Sequence, residues 1–226
     1  MPLTDAQLVD LLHDTAAAIG DALRGLDDWG LAGTRAGQYR SDLAADTAAL
    51  EVLTSAGVGV LSEESGRHEG RDGDGVVVVV DPVDGSTNAS RGIPWFATSL
   101  CAVDGDGPRA ALVVDLPHQR RFVAVRGGGA TVDGEPLRPS TVEALGSAMV
   151  GLSGFPPRWL GWRQYRALGA AALDLCAVAE GTVDAYIDCT PSAHGSWDYL
   201  GGLLVCREAG AVVGEAFDHE LVALDP

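Results

Sequence analysis

The residues with the greatest chemical capacity are acids that close apolar runs. Five consecutive valines, Val76 to Val80, lead into Asp81-Pro82-Val83-Asp84-Gly85-Ser86-Thr87-Asn88. Two carboxylates three positions apart, with the carbonyl of Val83 between them and a proline that has no amide hydrogen, form a hard oxygen set of the kind Mg²⁺ accepts. Gly85, Ser86, Thr87 and Asn88 suit a helix start, where unpaired amides and the helix dipole favour an anion such as phosphate. Cation ligands beside an anion cradle are what metal-assisted phosphoryl transfer needs. An Asx-rich turn would account for the glycine and asparagine but requires neither acid.

Other acids repeat the design. Glu63 and Glu64 follow the strand-like run Val58 to Leu61, and Asp188 ends a second such run from Val183. Asp198 stands in the first turn of a helix opened by His194-Gly195-Ser196-Trp197, and Asp46 lies on a helix face away from Leu43, Leu50 and Leu53. Each alone is an ordinary solvated or helix-capping acid. Taken together, Asp46, Glu63, Asp81, Asp84, Asp188 and Asp198 are what a multi-metal site requires.

The elements that must position them follow from periodicity. An unbroken β-branched run reads as a strand buried on both faces, which places the chain in the α/β class with ligands at the strand mouths. Leu8, Leu11, Leu12, Ala16, Ile19 and Leu23 recur at helical spacing between Leu3 and Trp29, with Thr4 and Asp5 as the cap. A glycine-containing loop (30–39), the helix carrying Asp46, and a polar glycine-rich loop (66–75) come next. Strands are predicted at 97–103, 110–116, 121–125 and 130–133. Gly127-Gly128-Gly129 reads as a turn, since no helix follows it to make a nucleotide loop. The connector 139–145 divides an N-terminal α+β part (1–138), holding most of the acids, from a C-terminal α/β part (139–226). In the latter, strands are expected at 147–152 and 183–188 and helices at Tyr165–Glu180 and Tyr199–Glu208.

Composition removes several function classes. All 15 basic residues are arginine, against 32 acids and a net charge of −17. Without lysine there is no Schiff-base or pyridoxal chemistry and no lysine-dependent phosphate loop. The negative charge speaks against a nucleic-acid partner. Apolar runs are too short to span a bilayer and no basic leader precedes an apolar block, so no membrane contact and a cytoplasmic location are expected. Cys101, Cys176, Cys189 and Cys206 show neither pairing nor metal-ligand spacing and read as idle thiols in a reducing compartment.

With these residues in view, the chain resembles the inositol monophosphatase family of Mg²⁺-dependent, lithium-sensitive phosphatases. Glu63-Glu64-Ser65, the octapeptide 81–88, and Trp197-Asp198 leading into Arg207-Glu208-Ala209-Gly210 match three of its signatures in order; Gly169 to Val178 with Gly181 and Asp184-Ala185-Tyr186 match a fourth. The resemblance covers about Asp42 to Gly210. It implies a five-layer αβαβα sandwich of the sugar phosphatase type and two to three Mg²⁺ ions held by Glu63, Asp81, Asp84, Asp198 and the Val83 carbonyl. It also implies phosphate held at Gly85 and Ser86, and substrate contacts at Gly169, Ala170, Ala171, Asp188 and Asp198. Asp46 and Ser86 correspond to the pair that orients the attacking water, with Glu63 beside them. The implied reaction is hydrolysis of a small polyol phosphate, inositol 1-phosphate first, by a metal-activated water without a phosphoenzyme; a homodimer is the family expectation. Histidinol phosphate, fructose 1,6-bisphosphate and 3′-phosphoadenosine nucleotides are alternative substrates, and a catalytically silent metal-binding regulator is an alternative of another class. A haloacid-dehalogenase phosphatase would place its two aspartates two apart, not three. Departures from the family pattern are the rim Ala89 to Pro94, which lacks an aromatic and a histidine, and a stretch at 154–168 that is short for the helix usual there.

Overall fold

The N-terminal 56 residues pair two amphipathic helices against one face of a sheet. Helix α1 (Asp5–Arg24) begins with a reciprocal cap in which the Gln7 amide donates to Thr4 Oγ1 at 3.3 Å and the Thr4 amide donates to Gln7 Oε1 at 2.9 Å. Helix α2 (Arg40–Ala56) ends at Gly57, whose φ of +84° is the left-handed conformation that lets the chain turn away into the sheet. Leu8, Leu12, Ile19 and Leu53 of the two helices bury themselves on Val58, Val60, Val78, Val80, Leu100 and Leu112. In this computed structural model, residues 2–71, 75–190, 194–215, 220–222 and 224 are described.

The sheet comprises β1 (Gly59–Ser62), β2 (Gly66–His68), β3 (Val77–Asp84), β4 (Ala97–Asp104), β5 (Gly107–Asp115), β6 (Arg120–Val125), β7 (Gly129–Val132) and β8 (Glu135–Pro136), with the five-residue helix α3 (Ser86–Ser90) after β3. Its order is β2-β1-β3-β4-β5-β6-β7-β8, with β1 parallel to β3 and every other pair antiparallel. Alternation along β3 sends Val78 and Val80 to the α1/α2 side and Val79 to the other side. That explains the unbroken valine run: both faces of the strand are core.

On the far face, Leu61, Val79, Cys101, Val113 and Phe122 pack against α4 (Ala171–Ala179) and α5 (Ser196–Ala209). This cluster joins residues on both sides of the expected division at 138/139. A second sheet, β10-β9-β11, is entirely parallel and is built from β9 (Met149–Ser153), β10 (Gln164–Arg166) and β11 (Ala185–Asp188), with a 3₁₀ turn at Leu145–Ser147 before it. The resulting α/β sandwich stacks helix pair, large sheet, helix pair and small sheet. Among the described residues no second helix layer covers the outer face of the small sheet; Trp162, 3% exposed, packs with Ala148, Val150 and Leu152. The short 154–168 stretch is thus a loop and an edge strand.

Two expectations change. The helix expected from Tyr165 starts only at Ala171, because Gly169 at φ +88° breaks the chain direction and residues 164–166 pair with β9. The polar stretch 66–75 is not all loop, since 66–68 form β2; residues 72–74 lie outside the described residues. The turn expected at Gly127–Gly129 joins β6 to β7, and the Gly127 and Gly129 amides each donate to the Glu208 carboxylate at 2.9 Å. No helix among the described residues is long and apolar enough to cross a membrane.

Candidate active site

Residues three apart on a regular strand point to opposite faces. The β3–β4 register solves this for Asp81 and Asp84: Asp81 pairs with Ser99 and Asp84 with Ala97, so three steps on β3 oppose two on β4. This β-bulge falls at Pro82, which could not have served the ladder, and it turns both carboxylates to one side. One oxygen from each of Asp81, Asp84 and Asp198 lies within 4.8 Å of the other two. Asp198 reaches them from the first turn of α5, where its Oδ2 also accepts from the Gly195 amide at 2.7 Å. Glu63 is carried just past β1 by the parallel ladder bond from its amide to Val80 O (3.1 Å), and its charge acts on the Asp81 carboxyl.

The electrostatics of this cluster are unfavourable without a cation. Burial, then Asp198, pushes Glu63 up to about 7; burial, then Asp198, pushes Asp84 up to about 8; and burial, then Glu63, holds Asp81 well above the carboxylate range. Asp81 is 1% exposed, and its Oδ1 has no hydrogen-bond partner among the described residues. A buried carboxylate oxygen without a donor costs several kcal/mol, the order expected for an unpaired charge, unless a cation meets it. The donors are all hard oxygens, which suits Mg²⁺ and not a thiophilic metal. Asp84 also caps α4, since its Oδ1 and Oδ2 accept from the Ala171 (3.2 Å) and Ala172 (2.7 Å) amides.

Above the acids opens a cleft of about 460 Å³ whose lining includes Gly85, Ser86, Gly169, Ala170, Ala171 and Asp198. Gly85 sits at φ +87°, and a Cβ there would lie 3.1 Å from the carbonyl oxygens of Gly169 and Trp95, so only glycine fits. Asn88 fastens α3 to the cleft wall by donating to Trp95 O and Leu168 O, both at 2.8 Å. Asp174, pushed up to about 7 by burial, also lines the cleft and accepts from Trp95 Nε1 at 2.9 Å. The Ala171 amide is committed to Asp84, so of Gly169 to Ala171 only the first two have backbone amides to offer.

The Ser86 hydroxyl donates to the Val83 carbonyl at 3.0 Å and lies against Asp42, whose carboxyl is pushed up to about 6 by burial. The pairing of Asp46 with Ser86 is therefore corrected. Asp46 accepts from Ser62 Oγ and from Ser65 Oγ (3.2 Å), locking the segment that carries Glu63, while Asp42, one helical turn earlier, faces Ser86. The two acids share one face of α2, and sequence spacing alone could not choose between them. Glu64 turns away to Arg35 (2.9 Å) and Gln38. Asp188 does not line the cleft: Oδ1 accepts from the Thr190 amide at 3.0 Å, and Oδ2 is 3.9 Å from His194. Periodicity gave no hint of Asp42, Asp174 or His194, because their roles depend on which loop meets which helix.

Comparison with known proteins agrees with this geometry. The model of the inositol monophosphatase family matches residues 40–225. A Nus factor SuhB of Pasteurella multocida is 34% identical over 189 residues, which is 76% of this chain and 69% of the relative. The Nus factor SuhB of Escherichia coli K12 is 34% identical over 171 residues, 69% of this chain and 62% of the relative. Among solved structures, the extragenic suppressor protein suhB of Bartonella henselae superposes with a TM-score of 0.76 at 27% identity, covering 90% of this chain and 85% of that one. The inositol monophosphatase of Anabaena gives a TM-score of 0.76 at 27% identity over 92% and 83% of the two chains. With its bulged acid pair on β3, its cleft and its match over residues 40–225, the chain belongs to the inositol monophosphatase family.

Proposed function

We propose that the chain is a Mg²⁺-dependent phosphomonoesterase acting on the phosphate ester of a small hydroxylated alcohol, with inositol 1-phosphate first among the candidates. The observation that carries this reading is the orphaned Asp81 oxygen amid converging carboxylates at the base of the cleft. Glu63, Asp81, Asp84, Asp198 and the second lone pair of the Val83 carbonyl would hold two to three ions. Bound Mg²⁺ supplies an activated water and charge neutralisation at the ester phosphate and leaving oxygen.

The remaining chemistry belongs to the protein. The Ser86 hydroxyl has the Val83 carbonyl at 3.0 Å and the Asp42 carboxyl as acceptors for its one proton, which leaves its oxygen lone pairs for a donor from the cleft, and Asp42 is ionised at neutral pH. A water donating to both has its remaining lone pair fixed for in-line attack, and Asp42 takes the proton. The φ of Gly85 brings backbone amides to the cleft with no side chain between them and a phosphate. Among the described residues the cleft lining contains no lysine or arginine, so phosphate charge is left to the cations. No aspartate is required as a nucleophile, which distinguishes the route from a phospho-aspartate enzyme. Lithium sensitivity, a homodimer and a cytoplasmic setting are further parts of this reading.

The name Nus factor, borne by the relatives, favours a second reading in which a regulatory contact accompanies or replaces turnover. The complete acid set keeps hydrolysis first, and the net charge of −17 disfavours direct contact with nucleic acid. Phosphate release from a panel of phosphomonoesters with Mg²⁺ and with a chelator separates the readings. Release that depends on Mg²⁺ is expected; silence on every ester would leave the regulatory reading.

A further inference from the structure

The wall that would face the leaving alcohol holds a residue no sequence pattern singled out. His194 precedes α5 and lines the cleft, with Nε2 3.1 Å from Ser153 Oγ and 3.3 Å from Tyr186 OH. Its other nitrogen is 3.7 Å from Asp198 Oδ2. The strand-end carboxylate, Asp188, approaches the same Nε2, with one oxygen taken by Thr190 and the other 3.9 Å from His194 Nε2. Of the two, His194 is in the cleft lining and Asp188 is not.

We propose that His194 is the specificity-determining residue on the alcohol side of the cleft, contacting the leaving group's hydroxyls in the position the strand-end pattern assigns to Asp188. Three groups meet at this wall, and each of them, a serine hydroxyl, a phenol and an imidazole, can both donate and accept. A hydroxyl also does both, whereas a phosphate or carboxylate only accepts and an ammonium only donates. Their mutual contacts fix the imidazole ring, so a substrate hydroxyl meets a preset partner. An ester with a second phosphate would find no arginine in the described lining to meet it. This inference rests on the phosphomonoesterase reading for its kinetic form, but not for its binding form.

The test compares kcat/KM for myo-inositol 1-phosphate with that for phenyl phosphate, whose leaving group carries no second hydroxyl, in the wild type, His194→Ala and Asp188→Asn. In His194→Ala the polyol-to-phenyl ratio is expected to fall roughly tenfold, chiefly through KM, the size of one lost hydrogen bond. Asp188→Asn is expected to move the ratio by less than about twofold, because Asp188 is not in the cleft lining. An unchanged ratio in His194→Ala overturns the proposal, and so does a raised Mg²⁺ requirement with an unchanged ratio, which would make His194 a support for Asp198. Should the wild type hydrolyse no ester, the phosphomonoesterase reading falls, and myo-inositol binding followed by NMR with Mg²⁺ and phosphate decides the present point. Inositol-induced shifts lost in His194→Ala uphold it; shifts retained, or absent from the wild type, overturn it.

Discussion

Stabilisation of the protein by Mg²⁺ should grow steeply with pH, because the acids that would hold the ion keep their protons without it. Glu63 is raised to about 7 and Asp84 to about 8, each by burial first and Asp198 second. In the unfolded chain both ionise in the ordinary carboxylate range. A raised folded value means that the stability these groups contribute is fully present below that range and is lost as pH climbs through about 7 and then about 8. The metal-free protein is therefore expected to melt lower as pH rises. From Glu63 and Asp84 alone an ion displaces about two protons at about pH 6 and fewer than one at about pH 8, and each displaced proton costs about 1.4 kcal/mol per pH unit; Asp81, also raised, adds in the same direction. Over that interval the apparent affinity rises by roughly two to three decades, or about 3–4 kcal/mol at fixed saturating Mg²⁺. For a chain of this size each kcal/mol moves Tm by about 2–4 °C, so the Mg²⁺-induced shift should be on the order of 10 °C larger at the alkaline end. Calorimetric scans with Mg²⁺ and with EDTA across this range measure it directly. A shift that is flat or shrinks with pH would rule this out, since the acids would then hold no protons for the ion to displace.

Other substitutions separate chemistry from architecture. Asp42→Asn should lower kcat on the order of 10²-fold, within the range of lost general-base catalysis, with KM little changed, and should remove the inflection near pH 6 that Asp42 gives the pH–rate profile. Asp46→Asn should spare more of kcat and instead lower stability by about 1–2 kcal/mol, as two serine contacts weaken; denaturant melts read the difference. Asp84→Asn should reduce turnover by orders of magnitude while the fold survives, and comparable activity at saturating Mg²⁺ would count against a ligand role. Asn88→Ala frees α3 from Trp95 O and Leu168 O and should cost about 1–3 kcal/mol together with activity, checked by Tm and kcat/KM in one preparation. Trp162→Ala should cost about 3–5 kcal/mol and loosen the small sheet, visible as faster amide exchange in β9 and β11.

What could be read from the sequence divides along physical lines. The valine run and the acids after it were legible because a strand buried on both faces leaves a continuous apolar string and because Asp-Pro-Val-Asp has no purpose in a plain ladder. The bulge that brings Asp81 and Asp84 to one side is not written in any periodicity; only Pro82 hints at it. Asp42 and Asp46 occupy the same face of α2, so the choice between them depends on where Ser86 comes to rest. The start of α4 departs from its expected place because Tyr165 and Arg166 are good enough helix residues, and the backbone bend at Gly169 outweighs that preference. His194 and Asp188 are six residues apart, and nothing in their spacing or type shows that His194 and not Asp188 is in the cleft lining.

The proposed hydrolysis requires Glu63, Asp81, Asp84 and Asp198 to hold divalent cations beside the cleft. Anomalous diffraction from crystals soaked in Mn²⁺ and inorganic phosphate would see those ions themselves. At least one anomalous peak is expected within about 2.5 Å of carboxylate oxygens of both Asp81 and Asp84, with phosphate density against Gly85 and Ser86. Crystals that diffract well at millimolar Mn²⁺ and show no peak among these acids would mean that they do not form a cation site.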